Sequence, residues 1–391
     1  SASTPSAVWP AAVVLASAAA AVWFYTHTQS YYRDFLLGYN DFGHFAVRVV
    51  ATWEGRGFLL ESPGLPPFWD HCNPGLVLLA TLWGLWPRVE LFFVLQALCL
   101  AGPAIFVYGL ARAGGAAAPA AVSWSLSYLC FPALNQLNLG FTYGWHPVSC
   151  ALPCLLAGLW LLARGRRWQA LACALLACTF EETVIVVVAA FCGAMASATW
   201  WRRRATEDEI TLDNWLSRTG TWLAWLSLAF VFAGLFLFEY RFAGFASFQT
   251  DRFSHLGRSP TEILLSPFWK PAAFWGQVLS VRSGYYVLLL TLPLGFRRLA
   301  RGADVLATIA LPLAIVIAWN RVAAKCIAFQ YSTTMIPFLF AAAIAGDLRK
   351  AADTDGPSAR KCISRGGLPG AIAVLAACLV AALALGAMPW S

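Results

Sequence analysis

The sequence predicts an all-α integral membrane protein with about eleven transmembrane helices, and three observations carry that expectation. Of 391 residues, 60% are hydrophobic and only 12% charged, roughly half the charge share of a soluble chain. Apolar runs approaching the length a hydrocarbon core demands recur from one end of the chain to the other. Nineteen tryptophans suit belts at two membrane interfaces. The net charge of +8 does not imply a nucleic-acid partner, because most of the basic residues sit in short loops, where they report topology. The eleven cysteines lie mostly inside apolar runs and read as small packing residues. No Cys-x-x-Cys or His-x-x-x-His pair offers a metal site. Cys72 and Cys326 fall in expected outer segments, where a disulfide between them is open.

The first span is expected at Val8–Tyr25. It has no basic segment before it and no small-residue cleavage site after it, so it reads as a retained span rather than a signal peptide. A long polar segment follows, residues 26–88. Inside it, Leu76–Trp86 is strongly apolar but bracketed by Pro74 and Pro87. The bracket leaves about 18 Å of helix, too short to cross, and predicts a half-span or surface helix. Further spans are expected at Leu91–Ala111, Ala118–Leu134, Val148–Ala163, Trp168–Phe180, Thr183–Thr199 and Thr221–Tyr240. A second long polar segment, 241–283, separates these from spans at Tyr285–Phe296, Val305–Trp319, Thr333–Gly346 and Leu368–Met388. The chain thus divides into a membrane module over 1–346, a basic cytoplasmic loop over 347–367 and a C-terminal transmembrane helix over 368–391.

With the N-terminus inside, the inner loops collect Arg112, the Arg164–Arg167 cluster, Arg202 to Arg204 with Arg218, Arg297, Arg298 and Arg301, and the group from Arg349 to Arg365. Those are sixteen of the 27 basic residues. The short outer connections at 135–147 and 181–182 have none, as the positive-inside rule requires. Counting Leu76–Trp86 as a full span would put every later basic cluster outside, so the charge bias supports the short-helix reading.

The polar residues then gather at the outer face. From Asp41 to Trp53 the apolar side chains fall at Phe42, Phe45, Ala46, Val49, Val50 and Trp53, a helical stripe. Such a helix is expected to lie flat with its stripe in the lipid boundary. Asn40 or Asp41 is the expected N-cap. Asp41 and His44 would sit at head-group depth, where a lipid-linked phosphate would lie; an anchoring helix with Asp41 merely capping is the equal alternative. Asp70 and His71 precede Pro74. His146 precedes Pro147, which opens the next apolar run. Glu181 and Glu182 form a turn between two short spans, where adjacent carboxylates raise a pKa, find a cation or face water. Between the ninth and tenth spans lie Arg321, Lys325, Gln330 and Tyr331. The two cations either snorkel at the interface or grip a phosphate.

At these residues the chain resembles a bacterial multi-span family, a domain of unknown function grouped with the GT-C glycosyltransferase superfamily. The likeness runs from about Tyr39 to about Gly346. It rests on Asp41-Phe42-Gly43-His44-Phe45 after the first span and on His71-Cys72-Asn73-Pro74 opening the next apolar run. Trp145-His146-Pro147 matches a further box in part, with Val148 where an acid is expected. Phe180-Glu181-Glu182 matches an acidic turn that has lost its lysine. Gln330 and Tyr331, with Ile336-Pro337-Phe338-Leu339-Phe340, complete the order.

The resemblance implies a GT-C-like arrangement and a transferase of the bacterial plasma membrane. It would move a sugar from a polyprenyl-phosphate donor to a lipid, glycan or protein acceptor at the outer face, with the N-terminus cytoplasmic. Asp41 would deprotonate or orient the acceptor hydroxyl, with Glu181 and Glu182 completing the catalytic acids. His44, Arg48, His71, His146, Arg321, Lys325, Gln330 and Tyr331 would bind substrate or phosphate. A divalent cation, Mg²⁺ or Mn²⁺, would lie between Asp41 and Glu181 or Glu182. Two readings compete: a transporter or flippase for a lipid-linked or small solute, and a non-catalytic relative. Transporters carry their ionisable groups near the midplane of broken helices, whereas here the spans are nearly free of charge and the acids and histidines cluster at one face.

Overall fold

The computed structural model describes residues 7–37, 39–140, 143–204, 212–242, 250–355 and 368–385. Among the described residues no strand occurs, and the regular structure is helical. The first half comprises α1 (Val8–Arg33), α2 (Tyr39–Trp53), α3 (Leu76–Leu85), α4 (Glu90–Ala101), α5 (Ala104–Ala113), α6 (Ala118–Leu129), α7 (Pro132–Leu137), α8 (Ala151–Ala163) and α9 (Arg167–Cys178). The second half comprises α10 (Glu182–Arg204), α11 (Leu212–Phe242), α12 (Pro260–Trp269), α13 (Pro271–Val278), α14 (Val281–Thr291), α15 (Phe296–Arg301), α16 (Ala303–Leu306), α17 (Ala310–Ala318), α18 (Ile336–Asp355) and α19 (Leu368–Ala384). The expected cations Arg360, Lys361 and Arg365, the side chain of Asn40 and the end of the last expected span lie outside the described residues.

Among the described residues, four helices are long and apolar enough to cross a membrane: Val8–Arg33, Glu90–Ala113, Glu182–Trp201 and Thr221–Arg241. Five shorter apolar helices accompany them. The expected eleven full spans are therefore not all present as continuous helices. Proline accounts for several breaks, because it lacks an amide hydrogen and clashes with the preceding turn. Pro132 ends the third expected span and opens α7, and Pro293 closes α14 in a 3-10 turn. Leu76–Leu85 has the expected short form, about 15 Å long. Large apolar side chains stand exposed along α1 and α11, among them Leu15, Val22, Phe230, Val231 and Leu237. Those faces suit lipid rather than water, and the protein is membrane-associated.

The core runs through α4, α5, α6, α8, α10 and α18 and includes Ala371, Val374 and Cys378 of α19. The C-terminal helix is thus part of the same body, packed on α6, and α18 continues across the expected boundary at 346. A second cluster joins α2, α3 and α4 to Trp145 and Phe180. It corrects one expectation. The stripe Phe42, Phe45 and Val49 faces protein, not lipid, and packs against Leu76, Leu79, Phe92 and Phe93. Periodicity marks a face withdrawn from water, and here a neighbouring helix covers it. Cys72 and Cys326 are both free thiols, so the pairing left open is absent.

Two polar ends bound α10. Glu182 begins it, and Ser197 and Trp201 near its far end line a cavity of about 680 Å³ together with Arg301, Asp304 and Arg349. At that far end Arg349 donates to Asp304 at 2.6 Å, and Arg298 donates to Asp347 at 3.1 Å and to the Gly370 carbonyl at 3.0 Å. The α5–α6 turn reaches the same end, where a Cβ on Gly114 would meet Leu348. About 30 Å of helix separates the two ends.

Candidate functional site

Asp41 lies in the first turn of α2, where the partial positive charge of the helix N-terminus favours a carboxylate. It does not cap the helix, which begins two residues earlier. The His146 ring stands between two acceptors, with Nε2 3.0 Å from Asp41 Oδ2 and Nδ1 3.2 Å from the Gly144 carbonyl. Pro147 explains why the ring stands there. The residue before proline is driven to extended backbone, and His146 has φ −128° and ψ 139°. Gly144 turns the chain at φ 77°, and the Phe42 amide bonds the Tyr143 carbonyl at 3.2 Å. Burial alone would raise the Asp41 carboxyl. The hydrogen bond from His146 and the nearby His146, His71 and His44 rings outweigh it and hold the carboxyl below its ordinary value.

Residues 54–75 form a strap over α2. Arg48, off the apolar stripe and expected near a phosphate, is only 1% exposed. Its Nη2 donates to Glu61 at 2.9 Å and to Asp70 at 2.6 Å. The indole of Trp69 donates to Glu61 at 3.0 Å, and His44 pairs with the same carboxylate. Glu61, raised by burial, is brought below its ordinary value by Trp69, Arg48 and His44. Arg48 and His44 therefore fasten the strap, and the charge of Arg48 is answered within the protein.

The strap ends at the acidic turn. The Gly75 amide bonds the Thr179 carbonyl at 2.7 Å. His71 Nδ1 donates to Glu182 Oε1 at 2.9 Å, and the Cys72 amide donates to Glu182 Oε2 at 3.1 Å. Glu182 is 3% exposed. Glu181 accepts from the Thr183 hydroxyl at 2.8 Å. One donor atom each from His71, Glu181 and Glu182 lies within 4.8 Å of the others. Burial works to lower His71, but Glu182, with Glu181 behind it, raises the ring to about 9. Glu181 is raised by burial and by Glu182, against the pull of His71. The structure thus gives these three residues to one another and gives Asp41 to His146.

A third group adjoins both. Arg321 Nη2 donates to the Tyr143 hydroxyl at 3.0 Å. Arg252 and Arg321 stand over the Trp319 ring at 4.8 and 5.7 Å, close enough for cation–π attraction. Tyr331 packs edge-on against Trp319 at 5.2 Å, and Tyr143 lies 5.1 Å from Phe329. Burial raises the Tyr331 hydroxyl to about 12; Arg252 and Arg321 oppose the rise, and Asp41 adds to it. Burial lowers Arg252, while Tyr331, Glu182 and Glu181 support its charge. Lys325 stands apart from this group, its ammonium donating to Gln277 Oε1 at 2.7 Å. Gln330 has a buried Oε1 without a partner.

Residues 31–384 match the family model described as "Predicted membrane protein (DUF2079)". The chain belongs to the DUF2079 family. No curated protein and no solved structure matches it. Within this DUF2079 chain, sequence reasoning missed two members of the site. Arg252 sits in the second long polar segment without a spacing that marks it. Glu239 lies in the apolar run of α11, where a lone acid in a membrane-spanning stretch is itself a signal. Its carboxylate accepts from the Cys72 thiol and faces Glu182.

Proposed function

We propose that this chain is a membrane glycosyltransferase that moves a sugar from a polyprenyl-phosphate donor to a hydroxyl of a lipid, glycan or protein. In this reading the chain crosses a bacterial plasma membrane about eleven times, with the N-terminus cytoplasmic and the site at the outer face. Shorter helices cross by tilting or by thinning the bilayer locally. The observation that carries the reading is the company Asp41 keeps. An ionised carboxylate bonded by His146 shares its surroundings with Tyr331, Arg252 and Arg321. A base, two cations and aromatic faces are what sugar transfer from a phosphate carrier needs.

Asp41 takes the proton of the acceptor hydroxyl. The acceptor oxygen forms its bond to the anomeric carbon as the bond from that carbon to the phosphate oxygen breaks. The carrier leaves as a phosphate whose charge Arg321 and Arg252 meet, Arg offering a planar fork. Tyr143 and Tyr331 present rings to the sugar, with Trp319 backing the two arginines. Glu181, Glu182 and His71 complete the polar wall.

The test uses the full chain in liposomes with radiolabelled polyprenyl-phosphate sugars and a cell-envelope acceptor extract. Transfer by the wild type, reduced at least ~10²-fold in Asp41→Asn, supports the reading. Counterflow of a labelled solute without transfer from any donor overturns it in favour of a transporter.

A further inference from the structure

We propose that His71, Glu181 and Glu182 bind one divalent transition-metal ion. Two chain segments supply the donors, and backbone contacts fix both. The Gly75–Thr179 bond and the Cys72–Glu182 bond tie the strap to the turn. The three donor atoms already lie within 4.8 Å of one another. Metal–ligand bonds of about 2.0–2.2 Å set donors about 3–3.5 Å apart, so small side-chain adjustments close the shell as the His71 ring gives up a proton to solvent. The group is no exposed acidic patch: Glu182 is buried, and its two oxygens face an imidazole and a backbone amide.

A second observation points to an occupant. Asn73, two residues beyond His71, is 1% exposed, and neither its Oδ1 nor its Nδ2 has a partner. Glu239 Oε2 is likewise buried without a partner, on a carboxylate that Cys72 and Glu182 adjoin. Buried polar atoms are satisfied as a rule, and the water shell of a bound ion would serve the Glu239 oxygen beside Glu182. Metal-ligand side chains carry such outer partners. One imidazole with two carboxylates suits Mn²⁺, Fe²⁺ or Zn²⁺ over Ca²⁺. Three protein ligands leave positions open for water or a phosphate oxygen. Asp41, engaged by His146, lies outside the shell. The inference rests on these contacts and not on the transfer reaction.

The test is Mn²⁺ binding by the full chain in nanodiscs after chelator treatment, read from the loss of the free-ion EPR signal. One Mn²⁺ per chain is expected, displaced by Zn²⁺. Glu182→Gln and His71→Ala should each weaken binding at least about tenfold, and Asp41→Asn should leave it within about twofold. Pulsed EPR on the wild type, which needs no variant to fold, should report a nitrogen coupling from one imidazole. Absence of stoichiometric binding, absence of that coupling, or undiminished binding in both shell variants overturns the proposal. Transfer activity without metal binding would remove this inference and leave the transferase reading; metal binding without transfer would do the reverse.

Discussion

Asp41 and His146, 105 positions apart in the chain, meet through a 3.0 Å hydrogen bond between Oδ2 and Nε2. The pair joins the first turn of α2 to the residue that precedes Pro147, so it fastens a helix start to a proline-set turn. It also separates the acids into two groups with different partners. Asp41 keeps an open carboxylate oxygen beside Tyr331 and the arginines, whereas Glu181 and Glu182 close around His71.

The Asp41 carboxyl lies below its ordinary value of 3.8 when folded. A depressed carboxyl stabilises the fold above the unfolded pKa, and that contribution disappears as pH falls through the folded pKa. Asp41 is 35% exposed, so solvent screening keeps the contribution below about 1 kcal/mol. Asp41→Asn should melt slightly below the wild type near neutral pH, and the gap should close as pH falls below the ordinary carboxylate value of 3.8. Melting curves followed by tryptophan fluorescence across that range check this. A gap that persists unchanged in acid would mean that Asp41 stabilises through packing rather than charge.

Arg48 is costly to remove. Arg48→Met takes the guanidinium away from Glu61 and from the buried Asp70, a loss of about 3–5 kcal/mol. Replacing all three at once, with Glu61→Gln and Asp70→Asn added, removes the uncompensated charge and should recover much of the loss. Denaturant melts of the single and triple variants in detergent measure the difference. Equal destabilisation by both would show that Arg48 acts through its packing on Phe45.

Much of this architecture can be read in the sequence, and the gaps have physical causes. Helical class, the short helix at Leu76 and the Phe42–Phe45–Val49 stripe follow from local spacing. What covers the stripe does not, because lipid and a packed helix withdraw it from water alike. Arg48 looks like a solvated cation until the strap lies over it, and the strap carboxylate it meets lies 22 positions away. The His71–Glu182 bond joins positions 111 apart. Shared placement on one face grouped His71 with Glu181, Glu182 and Asp41, but only the fold divides that group into pairs.

Gly75 tests whether the strap positions His71. A Cβ there would lie 2.6 Å from Thr179 Oγ1 and 2.9 Å from the Phe180 ring. Gly75→Ala should therefore push the strap from the α9–α10 turn, at about 1–3 kcal/mol. The expected result is a lower melting temperature and faster amide exchange at His71 and Cys72, with Asp304 and Arg349 at the far end unaffected. Hydrogen-exchange mass spectrometry resolves the two ends.

Arg321 and Lys325 lie four residues apart and were expected to act together, but the fold divides them. Arg321 reaches Tyr143 and stands over Trp319, within the group around Asp41. Lys325 spends its ammonium on Gln277 of α13. If the leaving phosphate is met by guanidinium groups, Arg321→Ala and Arg252→Ala should each slow transfer about 10²-fold. Arg321→Lys should recover only part of the rate, because an ammonium lacks the planar fork. Lys325→Ala should leave transfer within about twofold, losing about 1 kcal/mol of stability as Gln277 gives up its partner. Initial rates against donor concentration separate the effects. A large defect in Lys325→Ala with a normal Arg321→Ala would place the phosphate against α13 and away from Asp41.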